Sequence, residues 1–256
     1  MSTVSVSQYE LIYNAFSFTI AAMGAATLFI WLNRLSVASP YRLALTVSGL
    51  VTAIALYHYL RITQSWTSAF TVTNDTIMPT GVRFNDAYRY VDWLLTVPLL
   101  LIELILVMRL SPKETLEKSV RLGSLAALMI ILGYPGEMSQ NNSTRWIWWA
   151  LAMIPFLWIV FELYVGLKNS IASQPENVRG LVNTARLLTV VSWCFYPIVF
   201  VFPMIGFTGG AATTAVQVGY TICDVLAKAV LGVLIYAIAV RKSAQDGSAH
   251  LEAVTA

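Results

Sequence analysis

Apolar residues fall in long blocks along this chain, and each block is cut off by a short polar or Pro/Gly stretch. Seven blocks are long enough to cross a hydrocarbon core of roughly 30 Å, which takes about 20 apolar residues as a helix. They cover residues 9–34, 41–65, 85–109, 117–133, 144–168, 179–204 and 213–240. The breaks carry helix-ending chemistry: Asn33-Arg34 with Ser39-Pro40, Arg109 with Ser111-Pro112, Tyr134-Pro135-Gly136, Ser173-Gln174-Pro175, and Thr208-Gly209-Gly210. The pattern predicts an all-α membrane protein, a bundle of seven transmembrane helices forming one domain over residues 1–242. The connector from Ser65 to Phe84 is long for a helical hairpin. It is rich in β-branched residues and holds a Pro79-Thr80-Gly81 turn, so a short extracellular β-hairpin between helices 2 and 3 is allowed. Pro197 should kink the sixth span, since it has no N–H for the carbonyl four residues back. From Ser243 the chain is small and polar, and 243–256 is read as a flexible cytoplasmic tail.

Composition agrees with this pattern. The 256 residues are 57% hydrophobic and 11% charged, with a mean hydropathy of +0.69, too apolar for a water-soluble domain. The net charge of +3 matters less than its distribution. Eleven of the sixteen Lys and Arg fall on one set of helix ends: Arg34, Arg42, Arg109, Lys113, Lys118, Arg121, Lys168, Arg179, Arg186, Arg241 and Lys242. The positive-inside rule places that set in the cytoplasm, the N-terminus outside and the C-terminus inside, as in a multi-pass protein of the cell's inner (plasma) membrane. Basic residues confined to helix ends give no nucleic-acid surface, and lipid is the expected surrounding. The start, Met1 to Gln8, lacks the basic region of a cleavable signal, so the first helix is expected to act as its own insertion signal. Cys194 and Cys223 fall inside spans and read as small core residues.

Charge inside the apolar blocks carries the chemistry. The third span reads Asp86-Ala-Tyr-Arg89-Tyr-Val-Asp92-Trp93-Leu-Leu-Thr96-Val-Pro-Leu-Leu100-Leu-Ile-Glu103. An ionisable side chain within a membrane costs about 2.5–3.5 kcal/mol on insertion scales and is a functional hypothesis by default. Thr96 follows Asp92 by four residues, and Glu103 by eleven, which at about 100° per residue returns to within roughly 20° of the same direction. Arg89 precedes Asp92 by one turn. The face therefore reads cation, acid, hydroxyl, acid, with the two carboxyls about 16 Å apart along the axis, a plausible proton relay. In the last span Asp224 and Lys228 are spaced i,i+4 and share a face. A lysine desolvated there must be paired, covalently modified, or both. His58, alone in the second span, reads as a core histidine or a functional one. Glu162 near the end of the fifth span is expected to be solvated or to snorkel. Trp148 and Trp149 suit an interfacial belt, and Trp193, Tyr196 and Phe200 form one helical stripe.

Seven spans with Arg-x-x-Asp-Trp-x-x-Thr-x-Pro on one helix and Asp-x-x-x-Lys on the last resemble the microbial rhodopsins. The acid, threonine and acid at Asp92, Thr96 and Glu103 are similar to proteorhodopsin-type proton pumps. His58-Tyr59, Tyr134-Pro-Gly-Glu137 and Trp193-x-x-Tyr196-Pro197 extend the likeness over nearly the whole chain, most closely to the xanthorhodopsin branch. The resemblance implies a light-driven outward proton pump, not an enzyme, holding all-trans retinal on Lys228 as a protonated Schiff base. It makes Asp92 the counterion and proton acceptor, Asp224 the second counterion, Glu103 the proton donor, and Arg89 their stabiliser from outside. It has Tyr59 and Tyr196 bonding Asp224, His58 pairing with Asp92, and Trp93, Leu100, Met129, Gly133, Trp149, Trp193, Tyr196 and Phe200 enclosing the chromophore. An apolar Leu100 resembles green-absorbing members. The family likeness also implies a homo-oligomer, pentamer or trimer.

Two features depart from relatives. Carotenoid-binding members have glycine where Trp149 stands, so no carotenoid antenna is expected. The stretch Phe202 to Ala212 lacks a pair of acids, so no dedicated release cluster is expected and proton release should come late. The competing readings are a retinal photosensor without net transport, disfavoured because Glu103 is retained, and a retinal-free receptor or transporter using Asp224 and Lys228 as an ion pair.

Overall fold

A computed structural model describes residues 4–73 and 76–255, with side chains described to Gly247. Seven stretches cross a membrane by length and apolarity: Val6–Ser36, Ser39–Ala69, Ala87–Met108, Pro112–Met138, Asn142–Gly166, Glu176–Ile205 and Gly209–Gly247. The regular helices are α1 (Val6–Asn33), α2 (Arg42–Ala69), α3 (Ala87–Met108), α4 (Pro112–Met138), α5 (Asn142–Phe161), α6 (Lys168–Ala172), which lies between the fifth and sixth spans, α7 (Glu176–Val201), α8 (Gly209–Asp224) and α9 (Leu231–Thr255), which runs past the end of the seventh. The expected all-α bundle of seven spans is what the chain forms.

Local chemistry starts the helices where the polar breaks predict. Ser5 and Gln8 make a reciprocal capping box at α1. Ser111 accepts the Glu114 amide at 3.3 Å with Pro112 in the first turn of α4, and Asn141 accepts the Thr144 amide at 3.1 Å at α5. Arg109 ends α3 in the left-handed region, φ 53°. The connector forms the allowed hairpin: β1 (Phe70–Thr73) pairs antiparallel with β2 (Thr76–Pro79), Phe70 opposite Pro79 and Thr73 opposite Thr76. Residues 74–75 lie outside the described residues. Thr80 then donates its amide to the Ala69 carbonyl at 3.0 Å, tying the hairpin's exit to the end of α2.

Consecutive spans pack side by side, and α8 closes the ring against α1. The span containing α3 is the most enclosed, with 61% of its apolar window buried, while that containing α4 has 22% and is mostly rim. Large apolar side chains such as Phe18, Leu32, Ile131, Ile154 and Val191 point outward, which suits a lipid surround. Thus α3 and the last span, which carry the ionisable residues, occupy the interior.

Three expectations change. α4 does not stop at Tyr134-Pro135-Gly136 but runs through Pro135 to Met138, because a spanning helix tolerates proline where its neighbours re-cover the turn, and Gly136 there lies against Trp148 and Phe200. Glu162 is buried rather than solvated: Arg121 donates to it at 3.1 Å and Trp158 at 3.4 Å. Nor is Ser243 the start of a flexible tail. α9 continues through it, the Ser243 hydroxyl accepts the Ala38 amide at 2.9 Å, and Asp246 accepts from Tyr41 at 2.9 Å and Arg109 at 2.8 Å. Polar composition suggested disorder there, but these partners lie far away in sequence. The tail's side chains beyond Gly247 lie outside the described residues.

Candidate functional site

The backbone widens into a single π-type turn at Val225–Val230, between α8 and α9, and Lys228 sits in it. Such turns insert an extra residue into a helix and often mark functional positions. Lys228 is 1% exposed, and its ammonium lies between two carboxylates, bonded to Asp92 on α3 and 3.0 Å from Asp224 Oδ1. The ion pair thus joins the two most enclosed spans.

The two carboxylates are held differently. Asp224 accepts four donors: Tyr59 at 2.7 Å on Oδ2, and Tyr196 at 2.8 Å, Trp93 at 3.3 Å and Lys228 on Oδ1. Asp92 is bonded to Lys228 through Oδ2, while its Oδ1 has no hydrogen-bond partner among the described residues. His58 Nδ1 lies 3.7 Å from that oxygen, beyond hydrogen-bond reach, and 3.0 Å from the Ile54 carbonyl. Thr96 shares the Asp92 face as expected, but its hydroxyl donates to the Asp92 backbone carbonyl at 2.8 Å rather than to the carboxylate. A buried anion with four donors is well compensated, and one with an orphaned oxygen is not. Of the two, Asp92 gains more from taking a proton.

Toward the hairpin end, Arg89 continues the polar line. It donates to Tyr59 at 3.2 Å, to Asp86 at 3.0 Å and to Gln217, whose amide in turn donates to Asp86 at 2.9 Å. Glu137 lies 3.8 Å from Arg145 at the same end. Sequence reasoning looked for exit carboxyls only between Phe202 and Ala212. Asp86 at the N-cap of α3 and Glu137 at the extended end of α4 are carboxyls that stand at this end from other elements.

At the opposite, Lys/Arg-rich end of α3 stands Glu103, fully buried, with neither carboxyl oxygen bonded among the described residues. The Ser48 hydroxyl on α2 lies beside it without a bond of ordinary geometry. A charge with no donor is very costly in such a place, so the neutral acid is the form this environment accepts.

A cavity opens from Lys228 between α3, α4, α5 and α7. Trp93, Leu100, Met129, Gly133, Trp149, Trp193, Tyr196 and Phe200, all expected chromophore neighbours, line it. Tyr59 does not; it stands behind the ion pair on Asp224. Sequence reasoning missed Tyr90, Val97, Ile130, Ala152, Met153, Phe156, Tyr220 and Ala227 on the same wall. Helical spacing was the available signal: Ala152, Met153 and Phe156 follow Trp149 at i+3, i+4 and i+7, Val97 follows Trp93 by one turn, and Tyr220 precedes Asp224 by one turn. An apolar, aromatic-walled space that includes a buried amine between two anions fits an apolar aldehyde joined to that nitrogen.

The family description bacteriorhodopsin-like protein matches residues 11–242. The chain belongs to that family. Within it, the green-light absorbing proteorhodopsin of Gamma-proteobacterium EBAC31A08 is 31% identical over 236 residues, 90% of this chain and 88% of that protein. The bacteriorhodopsin of Halobacterium salinarum is 29% identical over 221 residues, 84% and 79% of the two chains. Among solved structures, xanthorhodopsin, described as a light-driven ion pump with dual chromophore, superposes with a TM-score of 0.93 at 51% identity, covering 96% of this chain and 99% of that one. A thermophilic rhodopsin matches with the same TM-score at 42% identity. This rhodopsin is thus of the proteorhodopsin/xanthorhodopsin type, and its family implies retinal as the chromophore.

Proposed function

We infer that this protein is a light-driven proton pump that moves protons outward, from the Arg/Lys-rich end of the bundle to the hairpin end. The observation that carries the reading is the unequal holding of the two carboxylates around Lys228, which singles out the proton acceptor. Asp224, with four donors, stays an anion and fixes the site's charge, while Asp92, with a bare oxygen, is the acceptor. Retinal, joined to the Lys228 nitrogen, would supply light absorption and an isomerisation that turns the proton on that nitrogen. Asp92 Oδ2 then takes that proton, and the weakened pairing of Lys228 with Asp92 keeps it there. Arg89 and Tyr59 stand next on the exit side, and Asp86 and Gln217 extend the polar line beyond them. Glu103 holds a proton in the other half and returns it to the nitrogen once water reaches that half. Thr96 fixes the turn of α3 that aims Asp92, and His58 stands near the bare Oδ1.

The walls of the cavity orient the chromophore: Trp93 and Trp193 on its faces, Met129, Gly133 and Phe200 toward the far end, and Leu100 as an apolar neighbour that favours green absorption. Trp149 donates to the Pro197 carbonyl at 3.0 Å, which locks its indole across the gap between α5 and α7. A second, carotenoid chromophore of the xanthorhodopsin kind would need that space, so a single chromophore is proposed. The basic ends face the cytoplasm, which puts the N-terminus outside, and the family likeness supports a homo-oligomer, trimer or pentamer.

Cells or vesicles carrying the protein with added retinal test the reading directly. Light should acidify the outer medium, a protonophore should abolish the signal, and hydroxylamine should bleach the colour. A coloured pigment giving no proton signal, or one of opposite sign, would refute the pump.

A further inference from the structure

Lys242 is a buried cation that the pumping scheme leaves unused. Its residue is 7% exposed, yet it pairs with no carboxylate among the described residues. Its ammonium instead donates to two neutral oxygens, the Met108 carbonyl and Gln174 Oε1, each at 2.7 Å. Met108 is the last residue of α3, five beyond Glu103 and so about 7.5 Å further along the same helix. Gln174 belongs to the turn between α6 and α7, is itself buried, and is held by its own bond to the Ser170 carbonyl at 3.0 Å. Val107 beside Met108, Val178 one turn after Gln174 and Ala239 three residues before Lys242 are buried in the apolar core. Tyr41 presents its ring 5.5 Å from the ammonium, and Arg109 and Asp246 pair with each other just outside.

We propose that Lys242 is a positioning residue that latches the mouth of the proton-uptake path, joining the ends of α3 and α9 to the α6–α7 turn between Glu103 and the water outside. The inference rests on the pump reading and on Glu103 as donor. Three elements converge on one buried ammonium. Separating any of them strands a carbonyl or amide oxygen and a cation at once. Water reaches Glu103 when those two bonds open together, so the latch sets how fast Glu103 is recharged without touching the reacting atoms.

The test uses the full-length pigment in liposomes with two variants, Lys242→Met and Gln174→Ala. Time-resolved visible absorption follows proton arrival at Asp92, and a pH-indicating dye follows uptake from the bulk. Each lost hydrogen bond weakens the closed mouth, so uptake should quicken about three- to tenfold in Gln174→Ala and at least as much in Lys242→Met, while the first transfer stays within about twofold. Gln174→Ala keeps the Lys242 charge and lies away from the chromophore, so it decides the question even if Lys242→Met fails to fold. Faster uptake in Lys242→Met alone would assign the effect to charge and overturn the latch, as would unchanged or slower uptake in both. Absence of any light-driven transfer to Asp92 in the unaltered chain would instead sink the pump reading itself.

Discussion

At the scale of single residues, function follows from how well each buried acid is partnered. Asp92→Asn leaves the Lys228 nitrogen with one anion. Absorption should then shift to the red, because the lost counterion no longer holds positive charge at the nitrogen, and pumping should fall to background, both readable from an absorption spectrum and a photocurrent. Glu103→Gln removes a group whose oxygens have no donor, so folding should survive; recharging of the nitrogen should slow about a hundredfold, the range for losing a positioned proton donor, as followed by flash photolysis. Turnover at the normal rate would mean another donor exists. The acids and their common face were legible from spacing alone, since i+4 and i+11 both return to one side of a helix. The finer contacts were not. Nothing in the order of residues says that the Thr96 hydroxyl turns back to its own helix, or that His58 Nδ1 lies closer to the Ile54 carbonyl than to Asp92. Side-chain torsions chosen by the neighbouring helices decide both.

At the scale of elements, close approach of helices places the donor half. A Cβ on Gly232 in α9 would lie 2.8 Å from both the Ile30 side chain of α1 and the Ser48 hydroxyl beside Glu103, so the bare backbone lets three helices meet there. Gly232→Leu should overpack this junction and cost about 1–3 kcal/mol, seen as a lower midpoint of thermal bleaching, with Glu103 recharging disturbed through Ser48. The apolar blocks announced the spans and the β-branched connector announced the hairpin. Helix ends were read less well. Pro135 looked like a stop in one dimension, and only packing of Gly136 against Trp148 and Phe200 carries α4 on to place Glu137. The cavity wall shows the same limit: tryptophans drew attention, while Ala152, Met153 and Phe156 on the same face looked like ordinary membrane-helix residues.

At the scale of the whole molecule, the charge on the ends sets orientation. Val82, exposed beside the hairpin, and Lys113, exposed at the start of α4, lie on opposite ends. A membrane-impermeant maleimide added to intact cells should label Val82→Cys and spare Lys113→Cys; the reverse pattern would invert the proposed topology. Cys194 and Cys223 lie within spans and should give little background. Charge counting along the chain suggested this orientation, but it missed that the basic end is also stitched together by Ser243, Asp246 and Lys242, since those partners meet only in the folded bundle. The wide turn at Val225–Val230 bears on the molecule's history as well as its shape. Deleting one residue there, Val225 for example, would give a regular, fully bonded helix and still move Lys228 from four to three positions beyond Asp224, taking its nitrogen out of the place between Asp92 and Asp224. A sequence can drift at this place by replacement but not by shortening, and a colourless, well-folded deletion variant would be the sign of it.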